Sequence, residues 1–305
     1  MTTENLQYGR VTWINITNPT REDLDVLSRQ YPNFHPLHLG DSLSELEFPK
    51  LDVGDDYLFI VAQLPRWNGE ARICYPAEID IFVASGVLVT VHNGEIKPLN
   101  EMFATAEADE AMMGEMMGKG ASPLLYQLMD TLVRYCDPIL EKVNQTIRQI
   151  ELSLFEEDME HILYEVAVAR RGVIAIRHIL RPQLDVVREL ERGSWPFIQG
   201  HLDMYWDDVG DHLTRLLSML DEHVEVIGGL SDTVDTLASH RIDGVVRLLT
   251  LITILTVPLT VLSTIFGMNV ALPYGDHPLP FYLINVIGIV MTAGVIWYLH
   301  RRRWL

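Results

Sequence analysis

LLTLITILTVPLTVLSTIFGMN, residues 248–269, holds no Asp, Glu, Lys, Arg or His in 22 positions. About 20 apolar residues in a helix cross a bilayer, so this stretch predicts a membrane span. A second run of 22 such positions, 278–299, predicts another. Both lie far from the N-terminal side, which excludes reading either as a signal peptide. Arg241 and Arg247 precede the first run, Arg301, Arg302 and Arg303 follow the second, and the loop between them has no Lys or Arg. The positive-inside rule then places both flanks in the cytoplasm and makes the two spans a hairpin in the cell (inner) membrane, among lipid. Trp297 and Trp304 fit interfacial anchors.

Charge is segregated along the chain. Residues 1–240 carry 40 acidic and 18 basic side chains, a net of −22. Phosphates are repelled by such a surface, so no nucleic-acid partner is expected; cations are attracted to it. Cys74 and Cys136 are too few for a disulfide framework and read as buried, reduced thiols.

Residues 1–121 read as an α/β domain. Strands are expected at 10–16, 57–64, 77–84 and 87–92, with Gly86 turning the last pair, and helices after Pro19 and Pro36. The Met-, Gly- and Glu-rich stretch 107–121 reads as a mobile loop or frayed helix. From Pro123 the period becomes helical. One apolar stripe runs from Leu125 to Leu154, a second from Ile162 to Leu180 with Pro182 interrupting it. A third starts at Leu202 and meets no proline before Pro258. If continuous to Phe266, the third helix is roughly 100 Å long and passes directly into the first span. The expected divisions are 1–121 (α/β domain), 122–244 (long-helix stalk), 245–269 (first span), 270–278 (outer loop), 279–300 (second span) and 301–305 (basic tail).

Two spans cannot enclose a hydrophilic path alone; the hairpin is either an anchor or one of several copies around an axis. Thr253, Thr260 and Thr264 share one helical face with Asp243, Val246, Leu249, Val257 and Gly267. That strip suits a water-filled path, with hydroxyls between apolar rings, and equally suits helix packing through small residues. Each hydroxyl can also bond back to its own helix.

The first span ends in Phe266-Gly267-Met268-Asn269 and the chain in Arg301-Arg302-Arg303-Trp304-Leu305. With Pro258 inside the span, this arrangement resembles the CorA family of divalent-cation channels. The resemblance extends through Asp208-Val209, Asp211-His212 and Asp232 to Phe34-His35-Pro36-Leu37. It implies a funnel-shaped homopentamer that conducts Mg²⁺, with Co²⁺ and Ni²⁺ as further cargo, no organic cofactor and no enzymatic activity. First spans would line the pore, and Asn269 side-chain and Gly267 backbone carbonyls would form the outer selectivity ring around Met268. Mg²⁺ dehydrates reluctantly, so neutral carbonyls in a wide ring would hold it by its waters and let it go. Asn269 also suits a helix C-cap. Thr260 would be a second contact, and Val246, Leu249 and Val257 apolar constrictions closing by dewetting. Val246 and Val257 stand where family members often carry the larger Met, and Asp243 where a neutral Asn is usual. Asp243 either completes a charged ring or pairs with Arg247 one turn on.

The resemblance further implies that cytosolic Mg²⁺ is sensed between subunits by Asp41 and Asp232, with Asp208 at a second site. Opposed carboxylates repel unless a divalent ion lies between them. Gly40 stands where a Glu partner is common. Two alternatives remain: a zinc or other transition-metal transporter of the same superfamily, for which Asp276 and His277 in the outer loop speak, and a membrane-anchored acidic scaffold without transport.

Overall fold

The computed structural model describes residues 2–44, 46–154, 158–197, 203–268 and 278–301. The chain divides into two compact units, Met1–Ser231 and Asp232–Leu305.

The first unit is built on six strands, β1 (Thr2–Tyr8), β2 (Val11–Thr17), β3 (Lys50–Val53), β4 (Tyr57–Asn68), β5 (Ile73–Ala84) and β6 (Val87–His92), in the order β1-β2-β6-β5-β4-β3. All neighbours are antiparallel except β2 and β6, where Thr12 lies opposite Val87 in parallel register. Helices α1 (Arg21–Gln30) and α2 (Pro36–Asp41) supply Leu24, Leu27 and Leu39 to a core formed with Ile14, Ile16, Phe59, Phe82 and Val91. Helices α5 (Ala121–Arg134) and α7 (Met159–Arg192) also pack on the sheet. The first half of β4 shows no alternation: residues 57–62 are all buried, as expected for a strand covered on both faces.

Local chemistry explains the helix starts expected after Pro19 and Pro36. Thr20 caps α1 by accepting from the Asp23 N–H, and the Asp23 carboxylate accepts in return from the Thr20 N–H at 3.0 Å. Pro36 opens α2, where its missing N–H costs nothing. Gly54 lies under the Tyr57 ring, and a Cβ there would come 2.1 Å from Cε1. The Tyr57 hydroxyl accepts from the His35 N–H at 2.8 Å and bonds His38 Nδ1 at 2.7 Å, which fixes α2 against the sheet.

Several expectations are corrected. The stretch 107–121 is ordered helix: α3 (Lys97–Ala108) is followed by α4 (Glu110–Met117), whose start the Asp109 carboxylate caps by accepting from the Ala111 N–H at 2.8 Å. Met117 is fully buried and anchors that helix. The stripe from Leu125 to Leu154 is two helices, α5 and α6 (Cys136–Ser153), parting at Tyr135. Pro138 lacks an N–H for the Arg134 carbonyl, and its ring crowds that group. Pro182 does not interrupt α7; the bond it removes leaves the carbonyl of His178, an exposed residue, for solvent. Strands β1 and β3 are additional to those expected. Cys74 and Cys136 are buried free thiols, as expected.

The third stripe is α8 (Asp203–Gly267), 65 residues without a break, and α9 (Leu279–Arg301) follows. Within the first unit, the start of α8 runs beside α7, where Arg177 Nε meets Asp221 Oδ1 at 2.9 Å. It also meets α6, where buried His212 Nε2 meets Asp137 Oδ1 at 3.0 Å.

Candidate functional site: the uncovered face of the long helix

In the second unit, α8 and α9 are each long and apolar enough to cross a membrane. They meet at Gly288, the buried residue among those described in α9, where a Cβ would lie 2.5 Å from Leu262 Cδ1. Leu251, Ile254, Pro258 and Leu262 are half-buried. Their spacing of three or four residues places them on one side of α8. Val246, Leu249, Thr253, Val257, Thr260, Thr264 and Gly267 are all exposed. At 3.6 residues per turn these two sets fall on opposite sides of the helix. The mixed-polarity strip therefore faces away from α9, and a single chain leaves it uncovered.

The strip's hydroxyls all bond back to the helix. Thr253 donates to the Leu249 carbonyl at 2.8 Å, Thr260 to Thr256 at 2.9 Å and Thr264 to Thr260 at 2.7 Å. Thr250 and Thr256, off the strip, do the same. Back-bonding occupies each hydroxyl proton and leaves oxygen lone pairs outward, so the strip can accept hydrogen bonds from water or from a hydrated cation. Pro258 sits within the continuous helix and frees the Ile254 carbonyl.

At the C-terminal end of α8, Gly267 is the last helical residue and Met268 is exposed, its N–H directed at the Ile265 carbonyl at 3.5 Å. Asn269 lies outside the described residues, as do Asp276, His277 and the end of the basic tail from Arg302. Just before the charge-free run, Asp243 is exposed, and among the described residues no ion pair joins it to Arg247.

Each expected sensor carboxylate has its own setting. Asp41 ends α2 and accepts from Lys50 Nζ at 2.7 Å; the same ammonium lies 3.4 Å from Asp52. Burial opposes the Lys50 charge most strongly of any single influence, but the hydrogen bonds and charges of Asp41 and Asp52 together outweigh it, and the ammonium is held above its ordinary range. His38 stacks on Phe59 with centroids 4.7 Å apart, and burial lowers its basicity despite Asp52 at 3.6 Å. Asp208 is exposed, 3.7 Å from Arg134, whose main partner is Asp130 at 2.8 Å. Asp232 is exposed, and its backbone carbonyl accepts from the Thr236 hydroxyl at 2.8 Å. Among the described residues, no three His, Cys, Asp or Glu groups gather as a metal cage. Lys50 is the residue that sequence reasoning missed; its one signal is the adjacency of Pro49-Lys50 to the start of a strand.

Residues 8–301 match the family model described as CorA-like Mg²⁺ transporter protein. The chain is 25% identical over 301 residues to the cobalt/magnesium transport protein CorA of Thermotoga maritima, covering 96% of this chain and 83% of that one. It is 21% identical over 254 residues to the zinc transport protein ZntB of Pectobacterium carotovorum, covering 83% and 75%. Its fold is similar to the complete structure of the CorA magnesium transporter from Methanocaldococcus jannaschii, with TM-score 0.83, 20% identity and coverage of 98% and 94%. With a sheet-based unit, long helices, two candidate spans and a family match over nearly its whole length, the chain belongs to the CorA-like Mg²⁺ transporter family.

Proposed function

We propose that the protein is a homopentameric channel for divalent cations, Mg²⁺ above all with Co²⁺ and Ni²⁺ as further cargo, in the cytoplasmic membrane with both termini inside. The observation that carries this reading is the strip of α8 that faces away from α9. Copies arranged around an axis would close it into a path of hydroxyl oxygens and apolar rings. Hydrated Mg²⁺ would meet Asn269 and Gly267 carbonyls at the outer end, then Thr260, with Val257, Leu249 and Val246 as rings that empty of water when they narrow. The α/β domain over residues 1–121 and the stalk over 122–244 would carry the sensor, with Asp41 and Asp232 opposed between subunits and Asp208 at a second position. Lys50 adds a condition: an ion arriving at Asp41 must first displace an ammonium already seated there.

Zinc is the second reading, favoured by the ZntB relatives and by Asp276-His277. Purified full-length protein in liposomes, assayed for flux of Mg²⁺, Co²⁺, Ni²⁺ and Zn²⁺ in turn, separates the two. The channel reading expects Mg²⁺ flux that Asn269→Ala nearly abolishes while the oligomer stays assembled. Wild-type flux in an assembled Asn269→Ala protein would remove the filter assignment; flux of Zn²⁺ alone would establish the second reading.

A further inference from the structure

A cavity of about 70 Å³ lies in the first unit between β5 and the chain that leaves α2. Several water molecules fit in that space. Ser42, Ser44, Glu78, Asp80, His92 and Asn93 line it, and among the described residues no Lys or Arg does. Asp80 is 3% exposed. Its cross-strand neighbours are Val61 and Val91, so apolar groups flank it on both sides. Its Oδ1 has no hydrogen-bond partner. Burial, reinforced by Glu78, pushes the carboxyl up to about 8, although the Ser42 hydroxyl pulls the other way. Buried carboxylate oxygens are ordinarily satisfied, and this one, in a residue that lines the cavity, is not.

Glu78, two residues along β5, shares the face of Asp80. One of its oxygens accepts from the Glu47 N–H. The Ser42 hydroxyl also touches the His38 carbonyl at 3.3 Å. His92 offers no ligand: Nδ1 accepts from the Gly94 N–H at 3.0 Å and Nε2 is held by Asn15 Oδ1 at 3.1 Å. The cavity therefore presents hard oxygen donors, two carboxylates and two hydroxyls, and no free nitrogen or sulfur. Mg²⁺ is commonly held by one or two carboxylates while keeping several waters; Zn²⁺ prefers nitrogen and sulfur.

We propose that this cavity is a binding site for a hydrated Mg²⁺ within a single subunit, with Asp80 and Glu78 as its carboxylate ligands and Ser42 and Ser44 holding its waters. It is separate from any pair of carboxylates shared between subunits, and it does not depend on the transport reading. Because Ser42 directly follows Asp41, an ion here would fix the end of α2 to β5.

Mn²⁺, which accepts the same oxygen ligands, is the probe. Full-length protein in detergent, freed of divalent ions and titrated with Mn²⁺, is read by electron paramagnetic resonance. The site expects Asp80→Asn and Glu78→Gln each to bind one Mn²⁺ fewer per chain than wild type, and Mg²⁺ to displace that ion from wild type. The double variant Asp41→Asn, Asp232→Asn should keep it. Should both carboxylate variants fail to fold, Ser44→Ala, at an exposed turn, should still weaken the site by roughly fivefold. Unchanged Mn²⁺ binding in folded Asp80→Asn, or in Ser44→Ala, overturns the proposal, as does an ion that Mg²⁺ does not displace.

Discussion

An ammonium 2.7 Å from Asp41 changes what a sensor at that carboxylate has to do. With Lys50 in place the carboxylate is already neutralised, so a divalent ion gains only the difference between its own attraction and that of the ammonium. Lys50→Met should therefore sharpen sensing: inhibition of channel current by internal Mg²⁺ should begin at several-fold lower concentration. An inhibition curve that does not move would separate Lys50 from gating. His92 sets a different condition. Burial lowers its pKa from 6.5 to about 4, so the folded protein keeps it neutral while the unfolded chain takes up a proton below 6.5. Its stability contribution is complete above pH 6.5 and declines as pH falls toward 4. Relative to His92→Gln, the wild type should lose up to about 3 kcal/mol across that window. Thermal melting of both proteins in detergent at pH 7.5, 5.5 and 4.5 would show a narrowing gap; a constant gap would mean that the imidazole is not held neutral.

Among the elements, legibility follows side-chain pattern. β6 is readable to the residue because Val87–His92 is rich in β-branched side chains and directly follows a turn glycine. β1, TTENLQY, is not, since Leu6 is its one buried apolar side chain among the described residues and its place depends on pairing with β2 and on contact with α4, neither of which leaves a period in the sequence. The long third stripe is readable to within a residue at each end, because an apolar face sustained past Leu237 has no competing period. Prolines are ambiguous: Pro138 lies just past a helix break and Pro182 lies inside a helix, a difference that depends on tertiary packing. The Asp41–Lys50 pair joins a helix end to a strand start, and no sequence period encodes such a contact. Just before the charge-free run of α8, Asp243 makes no ion pair with Arg247 among the described residues. Asp243→Asn should lower conductance, most strongly at low ionic strength, where charges act over longer distances. Near-wild-type conductance at two salt concentrations would show that the charge plays no part in conduction.

For the whole molecule, the proposed sensor works only between copies. Asp232 is exposed on the helix that continues into the first candidate span. If a divalent ion between Asp232 and a neighbouring Asp41 holds the closed form, Asp232→Ala should weaken inhibition by internal Mg²⁺, opposite in sign to Lys50→Met. Superimposable curves for Asp232→Ala and wild type would count against an intersubunit site.

The order of the strands also sets a schedule for biosynthesis. β2 cannot complete its parallel pairing until β6 exists, and β6 ends at His92. The first charge-free run starts at Leu248, roughly 150 residues later. At ~5–20 residues per second, translation needs roughly 10–30 s to cover that interval. The sheet has time to complete its internal pairing before either candidate span has been made, so an unpaired edge of β2 need never coexist with a newly made, uninserted span.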